Sequence, residues 1–345
     1  MNARCMPKRP CAIQILPDDA TLICGDKFGD VYSLPLIEEP NSNHQGYPGL
    51  TTAQYAKQTE TASFKPSATS KTVHTQRNLK SLAAQQSQQN LTPKTKGPLA
   101  FKHELLLGHV SMLTDLVHTS SDVAGKKRSY ILTADRDEHI RISRAPPQSH
   151  VIEGYCLGHK EFISKICLVP DTELLISGGG DDWIGVWDWL EFTLRRRISL
   201  PAIDPSSGTP AVSGMWVMPS DTGDILVVSC ERMTRLLFMP VDRLLDAQWD
   251  SAELERPILD MMSIGGTVVL SLDARDGSSQ RLQAYKFATT EAGALSMIPD
   301  SSPDHVLMQM NALASSEKDA PQLDELLYGV EKLRKRGVQE EVDDG

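Results

Sequence analysis

Two histidines stand where proton-transfer chemistry is conceivable. His159 follows a glycine and is trailed by Ser177, Asp181 and Trp187, and His109, also after a glycine, is trailed by Thr133 and Asp137. Imidazole, carboxylate and hydroxyl are the parts of a nucleophilic hydrolase, in which the acid orients the imidazole and the imidazole takes the hydroxyl proton. Two features argue against that use. The chain has no G-x-S-x-G elbow to lift a serine out of a strand-to-helix turn, and the same polar set occurs twice in matching positions. A set that repeats with a sequence unit reads as a hydrogen-bond relay that satisfies buried groups. The expected structural relays are His109, Thr133 and Asp137 in one unit and His159, Ser177, Asp181 and Trp187 in the other, with Ser143 replacing the tryptophan in the first. No catalytic, cofactor-binding or metal-binding residue is assigned.

The unit itself reads LLLGH at 105–109 and ILTADRDEHIRIS at 131–143, then YCLGH at 155–159 and LLISGGGDDWIGVWDW at 174–189. Each copy opens on Gly-His, runs through an apolar strand, turns on an aspartate and closes on an alternating strand. Gly-His recurs after 50 residues, while Asp137 and Asp181 are 44 apart, close to the roughly 40–45 residues of a WD40 blade. The expected fold is therefore all-β, a WD40 β-propeller. Gly178, Gly179 and Gly180 precede a strand rather than a helix, so they cannot offer a helix N-terminus to the phosphate of a cofactor.

Alternating apolar runs place further blades around these two. CAIQILP, TLICGDK and GDVYSLPL, between Cys11 and Leu36, read as three strands of a degenerate blade with Phe28 at the position of the turn aspartate. Its fourth strand is delayed to Phe101–Leu107. Residues 37–100 are rich in Ser, Thr, Gln and Asn without periodicity, and a disordered insertion is expected there. That stretch carries 7 basic and 3 acidic residues with Tyr47, Tyr55 and Phe64 spread along it; a solvated linker is preferred over an RNA contact. Residues 210–250 and 256–312 give two more blades on alternation alone. The propeller thus spans 10–36 and 101–312, in about five recognisable blades. Leu323, Leu326, Leu327, Val330 and Leu333 fall at helical spacing and predict an amphipathic helix over 321–337 that packs on the body and stops at Gly337, with an acidic tail over 338–345.

Composition narrows the function classes. No run of 18 apolar residues exists and the opening MNARCMPKRP has no apolar core of a signal peptide, so neither membrane insertion nor secretion is expected. Six cysteines show no C-x-x-C spacing, which favours free thiols in a reducing compartment. The net charge of −10 is uneven: residues 1–100 carry 11 basic and 7 acidic side chains, residues 201–345 carry 12 and 24. Nucleic-acid affinity comes largely from cations that neutralise phosphates, so an acidic body is expected to meet RNA through a partner.

At ILTADRDEHIRIS, CLGHKEFISKI and GGGDDWIGVWDW the sequence resembles the non-catalytic WD-repeat subunit of the tRNA (guanine-N7) methyltransferase, fungal type. MPKRPCAI and DKFGDVYSLPL near the start and LDELLYGVEKLRKRG near the end extend the likeness over most of the chain outside the insertion. The resemblance implies a seven-bladed ring, with about two blades lacking in front of the PKRP stretch. It also implies a nuclear location and a role in holding and stabilising a separate S-adenosylmethionine-dependent subunit, as a heterodimer that forms N7-methylguanosine in the tRNA variable loop. No cofactor is expected on this chain, tRNA is expected to be met mainly through the partner, and no membrane is involved. A generic WD40 scaffold of another complex, such as a ubiquitin-ligase adaptor or chromatin assembly, is the alternative.

The Gly-His loops and the aspartate turns of a blade emerge at the same end, so Arg136, Glu138 and Arg141 of one blade are expected beside Lys160 and Glu161 of the next as the partner-binding face. The resemblance makes Lys160 the leading candidate for an ion pair with an acidic residue of the methyltransferase.

Overall fold

Alternation of apolar and polar residues places side chains on opposite faces of a strand, and among the described residues the alternating runs become twenty strands in five sheets. The computed structural model describes residues 6, 8–37, 101–123, 125–201, 209–221, 223–246, 248–275, 280–290, 294–312 and 320–335. The first sheet is β1 (Pro10–Ile15), β2 (Thr21–Asp26), β3 (Asp30–Pro35) and β4 (Glu104–Gly108). The second is β5 (Leu113–Val123), β6 (Lys126–Asp135), β7 (His139–Arg144) and β8 (Ile152–Leu157). The third is β9 (Ile163–Leu168), β10 (Leu174–Gly179), β11 (Trp183–Asp188) and β12 (Thr193–Ser199). The fourth is β13 (Val212–Met218), β14 (Ile225–Cys230), β15 (Arg235–Pro240) and β16 (Asp250–Glu253), and the fifth is β17 (Ile258–Ile264), β18 (Thr267–Leu272), β19 (Leu282–Thr289) and β20 (Leu295–Pro299). Each is an antiparallel meander in chain order, the form of a propeller blade. The expected insertion and acidic tail fall outside the described residues, apart from Ile37.

In all five blades a register shift breaks the pairing of the first two strands near the start of the first strand: Pro10/Ala12, Leu113/Asp115, Val212/Gly214 and Ile258/Asp260, and Gly178/Gly179 on the opposing strand of the third blade. Such a bulge sharpens the local twist and re-aims the adjoining loop. It recurs beside the turns that form one end of every blade.

The core lies between blades rather than within them. Leu132, Ala134 and Ile142 of the second blade pack with Ile163, Leu175 and Trp187 of the third, and Ile176, Ile184 and Val186 of the third pack with Val212, Leu226 and Val228 of the fourth. Each such aliphatic side chain contributes about 1.5–3 kcal/mol on burial. Polar ties run between successive blades as well. The backbone N–H of Ile166 donates to Asp115 Oδ2 at 3.0 Å, and Ser164 Oγ donates to the Val212 carbonyl. The outer faces of the first and fifth sheets leave Ile13, Ile15, Met262 and Ile264 exposed. The five described cysteines are free, and burial pushes the thiols of Cys11, Cys156 and Cys230 up to about 12.

Two elements differ from the sequence reading. The stretch assigned wholly to the last blade ends in a helix, α1 (Asp304–Asn311), whose Asn311 accepts from the N–H groups of Arg281 and Leu282 and donates to the Leu282 carbonyl. The helix expected over 321–337 is shorter: α2 covers Ala320–Leu327 and a single 3-10 turn covers Glu331–Leu333. Helix continuation is lost because the Glu231 carboxylate takes the N–H groups of Val330 and Glu331 at 2.8 and 2.7 Å. Leu326 and Leu327, assigned to a packed apolar face, are exposed, and Tyr328 is the buried side chain instead.

Candidate functional site

The third blade builds the expected relay in full. His159 Nδ1 lies 2.8 Å from Asp181 Oδ2, His159 Nε2 lies 2.6 Å from Ser177 Oγ, and Trp187 Nε1 donates to the same Ser177 oxygen at 2.7 Å. The imidazole is fully enclosed and stacks on Trp183 with ring centroids 4.4 Å apart. Burial works to raise the Asp181 carboxyl, but the His159 bond and charge and the N–H groups of Glu161 and Lys160 outweigh it and hold it below the usual carboxylate range. Every partner in this chain is committed to another, so Ser177 has no free approach for a substrate. Sterics complete the arrangement: a Cβ on Gly185 would sit 2.5 Å from Trp187 Nε1, and one on Gly179 would sit 1.8 Å from the Phe162 carbonyl oxygen. The glycine run therefore serves close packing of strands.

The second blade solves the same problem with different residues, and two assignments change. Thr133 Oγ1 is 2.9 Å from His109 Nε2, but Asp137 is not part of this relay: half-exposed, it pairs with the Lys335 ammonium at 3.3 Å. Arg141 is not a surface contact either. It is buried, its Nε donates to Ser143 Oγ at 2.9 Å and its Nη1 to the Gly108 carbonyl at 2.9 Å. In register, Arg141 stands where the third blade has Gly185, and Ser143 where it has Trp187. The bulk has moved two residues along the strand, and the guanidinium replaces the indole beneath the Gly-His loop. Burial first, then the Arg141 and His139 charges, push His109 down to about 4.

The remaining residues of the expected face meet a segment that sequence reasoning had not placed there. Residues 328–335 cross the turns of four blades in succession. At the fifth and fourth blades the Tyr328 ring lies between the Arg275 and Arg232 guanidiniums, at 5.2 and 4.3 Å, and its hydroxyl donates to Asp273. Burial and that carboxylate push the phenol up. Arg232 and Arg275 also pair with Asp324 of α2 at 2.6 and 3.1 Å, and Glu231 takes the two N–H groups described above. At the third blade Arg334 donates to the carbonyls of Gly180 and Thr209 at 2.7 and 3.1 Å, with Glu161 3.6 Å away. At the second blade Arg136 Nε donates to the Leu333 carbonyl at 2.8 Å and Lys335 pairs with Glu138 at 2.7 Å.

Arg136, Glu138 and Glu161 thus lie on one face with the chain's own strap upon them. Lys160 differs. Its backbone N–H is fixed by Asp181 at 3.2 Å while its side chain is exposed and, among the described residues, its ammonium has no partner. Helical spacing concealed the strap, because Leu326, Leu327, Val330 and Leu333 mimic an apolar face; the only sequence signal for it was the pairing of a basic run, Lys332 to Arg336, with acidic turns far upstream.

The family model described as the tRNA methyltransferase TRM82 WD40 domain matches residues 1–294. The tRNA (guanine-N(7)-)-methyltransferase non-catalytic subunit TRM82 of Coccidioides immitis is 39% identical over 383 aligned residues, covering 97% of this chain and 71% of that protein. The corresponding subunit of Aspergillus oryzae is 38% identical with the same coverage, 97% and 71%. That of Eremothecium gossypii is 29% identical over 96% of this chain and 64% of its own length. Among solved structures, the RRP9 WD40 repeats align at 15% identity with a TM-score of 0.49, over 81% of this chain and 61% of that one. The family model and the curated relatives, on a chain of repeated blades, lead to one conclusion: the chain belongs to the TRM82 family of WD40 non-catalytic subunits of tRNA (guanine-N7) methyltransferase.

Proposed function

We propose that this chain holds the catalytic methyltransferase subunit on the face where the Gly-His loops and aspartate turns emerge, and that tRNA is met mainly through that partner. Lys160 carries the reading. A cation whose backbone is fixed by a buried carboxylate and whose ammonium is unpaired is pre-positioned for a carboxylate of another chain. Because its backbone is already ordered, less conformational freedom is lost on binding. The distribution of charge supports the indirect contact with tRNA: the chain carries 45 acidic against 35 basic residues. A subunit of this kind raises the rate of its partner only by binding the competent conformation more tightly, tenfold for each 1.4 kcal/mol.

The test is the affinity of the purified catalytic subunit for this chain and for Lys160→Glu, by calorimetry, with methyl transfer to tRNA measured beside it. Charge reversal at a desolvated pair costs about 2–5 kcal/mol, against roughly 0–1 for an exposed one. Unchanged affinity in a normally folded Lys160→Glu chain removes this face from the interface. Methyl transfer by this chain alone contradicts the division of labour.

A further inference from the structure

The strap of residues 328–335 decides the charge of the face around Lys160. Without it, three carboxylates would stand uncovered at this end of the blades: Glu161, next to Lys160 in the chain, and Asp137 and Glu138 on the turn of the second blade. With it, Lys335 pairs with Glu138 at 2.7 Å and Asp137 at 3.3 Å, and Arg334, held by Glu331 of the strap at 2.7 Å, also lies 3.6 Å from Glu161. Carboxylates near a cation weaken its attraction for an incoming carboxylate over about a Debye length, roughly 8–10 Å at physiological salt. The strap reduces that repulsion, and among the described residues the exposed Lys160 ammonium has no carboxylate partner.

The anchors also show that the strap stays in place. Tyr328 is buried between two guanidiniums, the Glu231 carboxylate is committed to two strap N–H groups, and Arg334 caps the carbonyls of Gly180 and Thr209. Lifting the strap would take from Glu231 its two N–H partners and from the buried Gly180 carbonyl its guanidinium, a cost for groups that had given up water. An incoming partner therefore meets the strap as part of the surface.

We propose that the C-terminal strap is a permanent component of the docking face, whose Lys335 covers Asp137 and Glu138, with Arg334 set between Glu161 and the strap's own Glu331, so that Lys160 can receive a carboxylate-bearing surface of the catalytic subunit. This rests on the docking face argued above, and the experiment separates the two. The affinity of the catalytic subunit is measured for the full chain, Lys160→Glu, Lys335→Gln, the double variant Lys335→Gln with Glu138→Gln, and a chain ending at Leu327, at low and physiological salt.

Lys335→Gln is expected to weaken binding by about threefold to tenfold at low salt and less at physiological salt, since screening shortens the reach of the uncovered carboxylates. Adding Glu138→Gln is expected to restore most of the loss, which a purely structural role for Lys335 would not allow. The shortened chain is expected to bind more weakly still. Equal or tighter binding by the shortened chain, or failure of the second substitution to rescue the first, overturns the proposal. If Lys160→Glu alone binds normally while Lys335→Gln weakens binding and is rescued, the strap's role stands and the assignment of Lys160 falls. Should the shortened chain fail to fold, the Lys335 pair of variants decides the matter, because both positions are on the surface.

Discussion

Replacing Asp181 by alanine isolates the relay of the third blade. The carboxylate accepts from the fully enclosed His159 at 2.8 Å and, more loosely, from the N–H groups of Lys160 and Glu161 at 3.2 and 3.3 Å. A hydrogen bond to a charged, buried partner is worth about 2 kcal/mol, and the two longer ones together contribute about 1. The sum of about 3 kcal/mol corresponds to a fall in melting temperature of roughly 6 °C for a domain of this size.

Asp181→Asn keeps an acceptor for His159 but loses the charge, so it is expected to cost about 1 kcal/mol. The pH dependence has a definite sign. The folded carboxyl titrates below its unfolded value, so its contribution is fully present above the unfolded value and is lost as pH falls through the folded one; Asp181→Ala should lose less stability in acid than the parent chain. Thermal melts followed by circular dichroism at neutral and acid pH measure all three. Trp187→Phe breaks the far end of the same relay, and the double variant tests the connection through Ser177, with a coupling of about 0.5–3 kcal/mol expected for groups in one network. An Asp181→Ala chain that melts within about 1 °C of the parent, or strict additivity with Trp187→Phe, would falsify the relay as a coupled unit.

Other substitutions follow from the same geometry. Gly185→Ala places a Cβ 2.5 Å from Trp187 Nε1 and 2.9 Å from its Cε2, and an overpacked core costs about 1–3 kcal/mol; a urea midpoint equal to the parent's contradicts the claim that the indole fills this space. Arg141→Met removes the bonds to Gly108 and Ser143 and is expected to cost about 2 kcal/mol, while its missing charge lets His109 titrate higher, as an NMR titration would show; an unmoved His109 refutes the influence of that charge. His109 itself makes stability acid-sensitive. Its folded value is about 4 against 6.5 unfolded, so the unfolded chain binds the extra proton: stability is full above about pH 6.5 and falls as pH drops toward 4, by up to about 3 kcal/mol before discounting for partial solvent access. His109→Gln should flatten that slope in a set of denaturant titrations, and an unchanged slope sinks the assignment.

The sequence by itself determined the blade type and much of the relay. Gly158-His159, Ser177, Asp181 and Trp187 carry information locally, because each must recur at a fixed offset within one unit for the hydrogen bonds to close. The same locality explains the resemblance, which rested on ADRDEHIR and GGGDDWIGVWDW. Where a blade departs from the pattern, offsets alone mislead. Asp137 occupies the register of Asp181 but answers to Lys335, and Arg141 fills the volume of an indole that stands two residues further on in the next blade.

Only tertiary structure decided which residues of the face remain available. Spacing placed Arg136, Glu138, Lys160 and Glu161 at one end of the blades. That three of the four lie under residues 328–335 depends on contacts made across 154 to 197 positions of sequence separation. The strap's conformation is likewise set from outside: its local sequence favours a helix, and the Glu231 carboxylate, together with the two guanidiniums around Tyr328, outbids that preference. A helix adds about one hydrogen bond per residue, whereas the strap gains charged partners from four blades at once, and no periodicity in the segment itself encodes them.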